Sequence, residues 1–136
     1  MSNQARQLEI PLPPIPSNRQ RMEWRESILA RANHAAKETG LEFVDHEKVE
    51  VVVVFFLRDP ESDDSSWPDI DNLIKDAHDA LQGALGLPGK SRDDRRVIRS
   101  DKQIYRVVAE KHHHLEDGAG GRLLIRPYCK QEWPLQ

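Results

Sequence analysis

The sequence holds a single cysteine, Cys129, among its 136 residues, so no intrachain disulfide can form and a reducing compartment suits it. Long apolar runs are missing too: nothing approaches the roughly 20 residues that a membrane-spanning helix needs. The N-terminus lacks the apolar stretch of a secretion signal. A soluble chain in the cytoplasm, without membrane contact, is therefore expected. There is no basic excess: 20 Lys and Arg stand against 23 Asp and Glu, a net charge of −3 with a pI near 6.1. Bulk charge thus gives no sign of nucleic-acid binding, although Asp59, Glu61, Asp63 and Asp64 concentrate the acid in one stretch. No internal repeat or long low-complexity tract is present. What remains is 38% hydrophobic and 32% charged, and its length suits one globular domain over residues 1–136.

The chain reads in order as alternating strands and helices. Gln7 to Leu12 is a short strand candidate stopped by Pro13 and Pro14, which cannot donate to a sheet ladder. Ser17 or Asn18 then caps a helix from about Arg19 to Thr39. Along it Met22, Ile28, Leu29, Ala32, Ala35 and Ala36 recur at helical spacing, and Gly40 provides the stop. Arg19, Arg21 and Arg25 lie on a solvated face or reach DNA. Lys48 to Leu57 starts by alternating and then turns apolar on both sides, which predicts a central strand covered on both faces. A polar loop from Arg58 to Ser66 leads to a second helix. That helix is expected to end where Gly86, Pro88 and Gly89 follow Leu85, with a mobile, mostly basic loop over about 88–98 beyond. Ile104 to Lys111 is a further strand, with Tyr105, Val107 and Ala109 on one face. Gly118 to Gly121 turns the chain into a short strand at Leu123 to Ile125, and about 127–136 is expected to be a loosely held tail. These elements predict an α+β fold: a mixed sheet of about four strands with two main helices.

One stretch concentrates chemistry: Trp67-Pro68-Asp69-Ile70-Asp71-Asn72-Leu73-Ile74-Lys75. Pro68 suits a first helical turn, and Asp69 and Asp71 lie where exposed backbone N–H groups favour negative charge. Asp71, Lys75 and Asp79 then recur every four residues on one face, opposite the apolar stripe of Ile70, Leu73, Ala77, Ala80, Leu81 and Ala84. Carboxylates two apart do not share a helical face, so Asp69 can join Asp71 only as a cap or pre-helical residue. Such a pair is half a site for a hard cation, which takes one or two carboxylates plus phosphate oxygens. A third carboxylate from elsewhere would complete it. The same spacing also describes a capped, solvated surface helix. His112-His113-His114 is a weaker candidate, because consecutive strand residues point to alternate faces and cannot easily share one ion.

Pro68 to Lys75, followed by Asp79-Ala80-Leu81, resembles the core signature of the RusA family of Holliday junction resolvases of bacteria and their phages. Pro13-Pro14-Ile15-Pro16-Ser17-Asn18 is similar to the family's proline-rich strand exit. Ser100-Asp101-Lys102-Gln103-Ile104, with Arg106 to Lys111, resembles its acidic pair, Gln and aliphatic strand. The likeness runs from about residue 8 to about residue 112. It implies Asp69, Asp71 and Asp101 as Mg²⁺ ligands, with Mn²⁺ able to substitute, and Lys75 beside the scissile phosphate. Asn72 and Asp79 match supporting positions. DNA contacts would come from Asn18, Arg19, Asn72, Lys75, Arg95, Arg96 and Arg99, with Lys90 and Arg92 in the same basic loop. One departure stands out: Ser100 occupies the place of the first acid, and Asp94 of the Asp93-Asp94 pair is the alternative third ligand.

The resemblance further implies a RusA-like homodimer acting on branched DNA. Metal-assisted hydrolysis would nick a four-way junction in paired fashion during recombination and repair, in the cytoplasm of a bacterial or phage-infected cell. Two other classes fit parts of the sequence. An Asp-x-Asp pair also serves nucleotide-sugar transferases, but this chain is too short for their nucleotide-binding domain. A phage or prophage accessory protein that binds junctions without cutting them would suit Ser100 and the negative charge.

Overall fold

The computed structural model describes residues 6–15, 21–41, 43–44, 46–58, 69–82, 97–114 and 120–130. In chain order these form β1 (Leu8–Pro11), α1 (Arg21–Thr39), β2 (Val49–Arg58), α2 (Ile70–Leu81), a 3₁₀ turn (Asp101–Gln103), β3 (Ile104–His114) and β4 (Gly121–Pro127). The four strands make one mixed sheet in the order β1-β4-β2-β3. β4 lies antiparallel to both β1 and β2, with Leu123 opposite Ile10 on one side and Val53 on the other. β2 and β3 are parallel, Val51 pairing with Val107. Parallel neighbours need a crossover connection, and here α2 lies on that path. The fold is α+β, as the alternation of elements predicted.

Both helices pack on one face of the sheet. Leu8, Ile10, Val51, Val53, Phe55, Leu123 and Ile125 point toward them and meet Trp24, Ile28 and Ala32 of α1 and Leu73, Ala77, Ala80 and Leu81 of α2. Trp24 adds a polar tie, its Nε1 donating to the Pro13 carbonyl at 3.1 Å. Gly121 starts β4 at φ 122°, and a Cβ there would fall 1.9 Å from the Val54 carbonyl oxygen, so only glycine allows this close strand entry.

Three sequence expectations change in detail. The doubly covered strand is covered by helices on one face only among the described residues. Val52, Val54 and Phe56 on the other face are half-buried. Flanking strands shield them, and the buried Glu50 on that face accepts from Arg126 Nε at 2.7 Å. Among the described residues the apolar run therefore marks a central position in the sheet and not a third layer. In α1, Met22 is exposed while Trp24 is buried, so the packed stripe is shifted from the expected one. α2 ends at Leu81 with Gln82 as its C-cap, earlier than the glycines implied. Residues 83–96 lie outside the described set, as do Ser17, Asn18 and the tail from 131. At the near end of that tail, the Tyr128 N–H bonds the Lys48 carbonyl at 2.9 Å.

Candidate active site on α2

The start of α2 follows from its capping chemistry. Asp69 is the N-cap in extended conformation, and its Oδ1 accepts from the Asn72 N–H at 3.0 Å. An N-cap carboxylate satisfies an orphan donor and meets the positive end of the helix dipole. Asp69 is thus pre-helical, as sharing a ligand with Asp71 requires. Asp69, Asp71 and Lys75 are all exposed, and Asn72 and Asp79 half-buried. Leu73, Ala77, Ala80 and Leu81 on the other side hold the helix to the core.

The 97–103 segment brings Asp101 to the same helix. The backbone N–H groups of Val97 and Ile98 both donate to the Leu81 carbonyl, at 2.8 and 3.1 Å, so the chain leaves from the C-terminal end of α2. Asp101 then opens the 3₁₀ turn and is itself exposed. Its charge is felt at two residues of α2. Burial pushes the His78 imidazole below its ordinary pKa, and the Asp101 carboxylate opposes that shift. Burial also raises the Asp79 carboxyl. Arg25 and Lys75 pull it down, while Asp76 and Asp101 push it further up. At 3.6 residues per turn, His78 and Asp79 flank the line on which Lys75 and Asp71 lie. The turn that carries Asp101 thus lies near the C-terminal half of α2. Asp79 is about 12 Å further along the axis than Asp71 by helical rise.

Asp69 and Asp71 accordingly stand at the start of α2, Lys75 in its middle and Asp79 in its second half, with Asp101 on the turn that follows the far end of the helix. Among the described residues no three His, Cys, Asp or Glu side chains close into a cation-holding group. The donor chemistry nonetheless suits Mg²⁺, because Asp69, Asp71 and Asp101 are exposed carboxylates and this ion keeps several waters and takes phosphate oxygens. Arg99 is exposed beside Asp101. Arg19, Lys90, Arg92, Asp94, Arg95 and Arg96 fall outside the described residues. His112 pairs with Glu110 at 2.9 Å and lies 6.3 Å from the Phe56 ring, centroid to centroid, on the face away from the helices.

A model of the endodeoxyribonuclease RusA family matches residues 11–123, most of the chain. The chain belongs to the RusA family. A search among curated proteins found no match. Family membership supports an endodeoxyribonuclease of the Holliday junction resolvase type for this RusA-family protein. Among the described residues no helix is long and apolar enough to cross a membrane.

Several residues around this site were not read from the sequence. Asp76, next to the motif lysine, is buried and accepts from Arg25 Nε at 2.8 Å. The same guanidinium reaches Asp79 at 3.7 Å. Arg25 is thereby an interior clamp between α1 and α2, not a solvated arginine. His78 is another: its Nε2 is buried without a hydrogen-bond partner among the described residues. Ser100, which departs from the family pattern, caps the 3₁₀ turn, its Oγ accepting from the Lys102 N–H at 3.1 Å.

Proposed function

We propose that this RusA-family chain is a Mg²⁺-dependent endodeoxyribonuclease that resolves four-way DNA junctions as a homodimer, nicking two strands in paired fashion. The observation that supports the reading is the exposure of Asp69, Asp71 and Lys75 on α2, with the equally exposed Asp101 on the 97–103 turn that leaves the far end of that helix. Asp69, Asp71 and Asp101 would hold Mg²⁺, with waters and a DNA phosphate filling what the protein oxygens do not reach. Bound there, the ion would lower the pKa of a water and offset charge on the reacting phosphate. Lys75, exposed between the acids, would neutralise a non-bridging phosphate oxygen, and Asn72 and Arg99 would contact the backbone on either side. Asn18, Arg19, Arg95 and Arg96, which lie outside the described residues, are further proposed DNA contacts from the resemblance to the family. A two-fold dimer would present two such sites to a substrate that itself has two-fold symmetry.

The accessory reading, junction binding without cutting, rests on Ser100 in place of an acid. The cap that Ser100 forms gives that residue a structural task and leaves Asp101 in place. Cleavage of a labelled four-way junction, beside a linear duplex of the same sequence, separates the two. Cutting of the junction alone, with Mg²⁺ and not with chelator, is expected. Equal cutting of both substrates would leave a general nuclease, and junction binding without cutting would favour the accessory role.

A further inference from the structure

We infer that Gln103 is the positioning residue for Asp101, an inference that rests on the proposed metal-dependent site. Gln103 is buried, and its side-chain amide uses its full hydrogen-bonding capacity. Oε1 accepts from the backbone N–H groups of Arg99 and Ser100, at 2.8 and 3.2 Å. Nε2 donates to the carbonyls of Val44 and Glu47, at 3.0 and 2.9 Å. Four backbone groups from two distant segments thus converge on one amide two residues after Asp101. The anchoring segment is itself held: Glu47 Oε1 accepts from the Val44 N–H at 3.1 Å, and the carboxylate is paired with the Arg6 guanidinium. Arg6 in turn lies over the Phe43 ring, 5.7 Å from its centroid.

An exposed aspartate on a short turn would otherwise sample several positions, and a cation site loses affinity when its carboxylates are not held in place. The capping box fixes the turn internally, since Ser100 and Gln103 each bond the backbone near the other. The two outward bonds from Nε2 fix the turn against the protein. No other residue type supplies two donors and two acceptor lone pairs at this reach: glutamate has no donors, and asparagine is one methylene shorter. Gln103 touches neither ion nor DNA in this scheme. It sets the direction from which Asp101 approaches α2.

The test compares wild type, Gln103→Met and Asp101→Asn in the full chain by titrating Mn²⁺ and following bound ion by electron paramagnetic resonance. Cutting of a four-way junction against Mg²⁺ concentration is measured in parallel. Gln103→Met keeps the length and removes all four bonds. It should weaken Mn²⁺ binding, and raise the Mg²⁺ needed for half-maximal cutting, by about 10- to 100-fold, as loss of an outer support of a metal ligand does. Junction binding in chelator should stay at the wild-type level, and excess Mg²⁺ should recover part of the cutting; a merely structural role would produce neither result. If Gln103→Met does not fold, Ser100→Ala decides, because it removes only one bond of the same turn and must shift Mn²⁺ affinity in the same direction. Unchanged affinity in whichever variant folds, beside a weakened Asp101→Asn, would overturn this inference alone. Unchanged affinity and cutting in Asp101→Asn would remove Asp101 as a ligand and the inference with it.

Discussion

Asp71 and Asp76 stand five residues apart on α2 and live in opposite surroundings. Asp76 is 1% exposed and locked to Arg25, so its charge is spent on holding two helices together. Asp71 is exposed and pairs with no side chain among the described residues. A buried carboxylate persists only when a partner offsets its desolvation, and that partner then occupies it. An exposed carboxylate keeps its oxygens for a cation or for water. One helix therefore carries a structural acid and a candidate catalytic acid, and solvent access distinguishes them.

The widest separation should come from Asp71→Asn. Junction cutting is expected to fall by about 10²- to 10³-fold, comparable with removing one electrostatic stabiliser of a transition state. Stability in a urea titration should change by under about 0.5 kcal/mol. Retained cutting would remove the catalytic half of the contrast. Asp76→Ala should do the reverse, costing about 3–5 kcal/mol because Arg25 is left without its buried partner. A double-mutant cycle with Arg25→Met, read by the same titration, should return a large part of that loss as coupling energy. Additive losses would show that the pair is not the clamp.

Asp69 is an N-cap and also a candidate catalytic acid, which sharpens the contrast further. Asp69→Ala should lose about 1 kcal/mol along with activity, because the cap to Asn72 disappears. Asp69→Asn should keep the cap, asparagine being as good an N-cap, and still lose cutting. Equal stability losses in the two variants, compared by thermal denaturation, would contradict the cap assignment. The smallest effect is expected at the Arg6–Glu47 pair. The Arg6 hydrogen bond holds the Glu47 carboxyl below its ordinary value of 4.5. A depressed folded-state pKa contributes stability that is fully present above the unfolded value and lost as pH falls through the folded one. Wild type should therefore lose more stability than Glu47→Gln as pH falls below about 4.5, by under about 1 kcal/mol, since Arg6 is 42% exposed and water screens the pair. Parallel stability curves for the two proteins would refute it.

Much of this was legible before any coordinates. Short apolar runs bounded by proline or glycine, partial alternation and helical spacing located the four described strands and both described helices, because those signals follow from backbone geometry. Asp69 was placed outside the helix by the rule that carboxylates two apart cannot share a helical face. The clamp was not legible, since nothing in Arg25 or Asp76 taken singly signals a partner 51 residues away. The expected cover on both faces of the 48–57 strand differs from the structure for a related reason. An apolar run reports burial, and neighbouring strands bury side chains as well as a helical layer does.

By itself the sequence determined the order and type of the elements, the family, and the acids and lysine that share the start of α2, because local spacing and motif chemistry are written along the chain. Only the tertiary structure decided which acid is locked inside, that both helices lie on one side of the sheet, and how one buried glutamine fastens the turn that carries Asp101. Those outcomes depend on pairs of residues brought together across the fold, and pairing at a distance leaves no periodic mark in a single sequence.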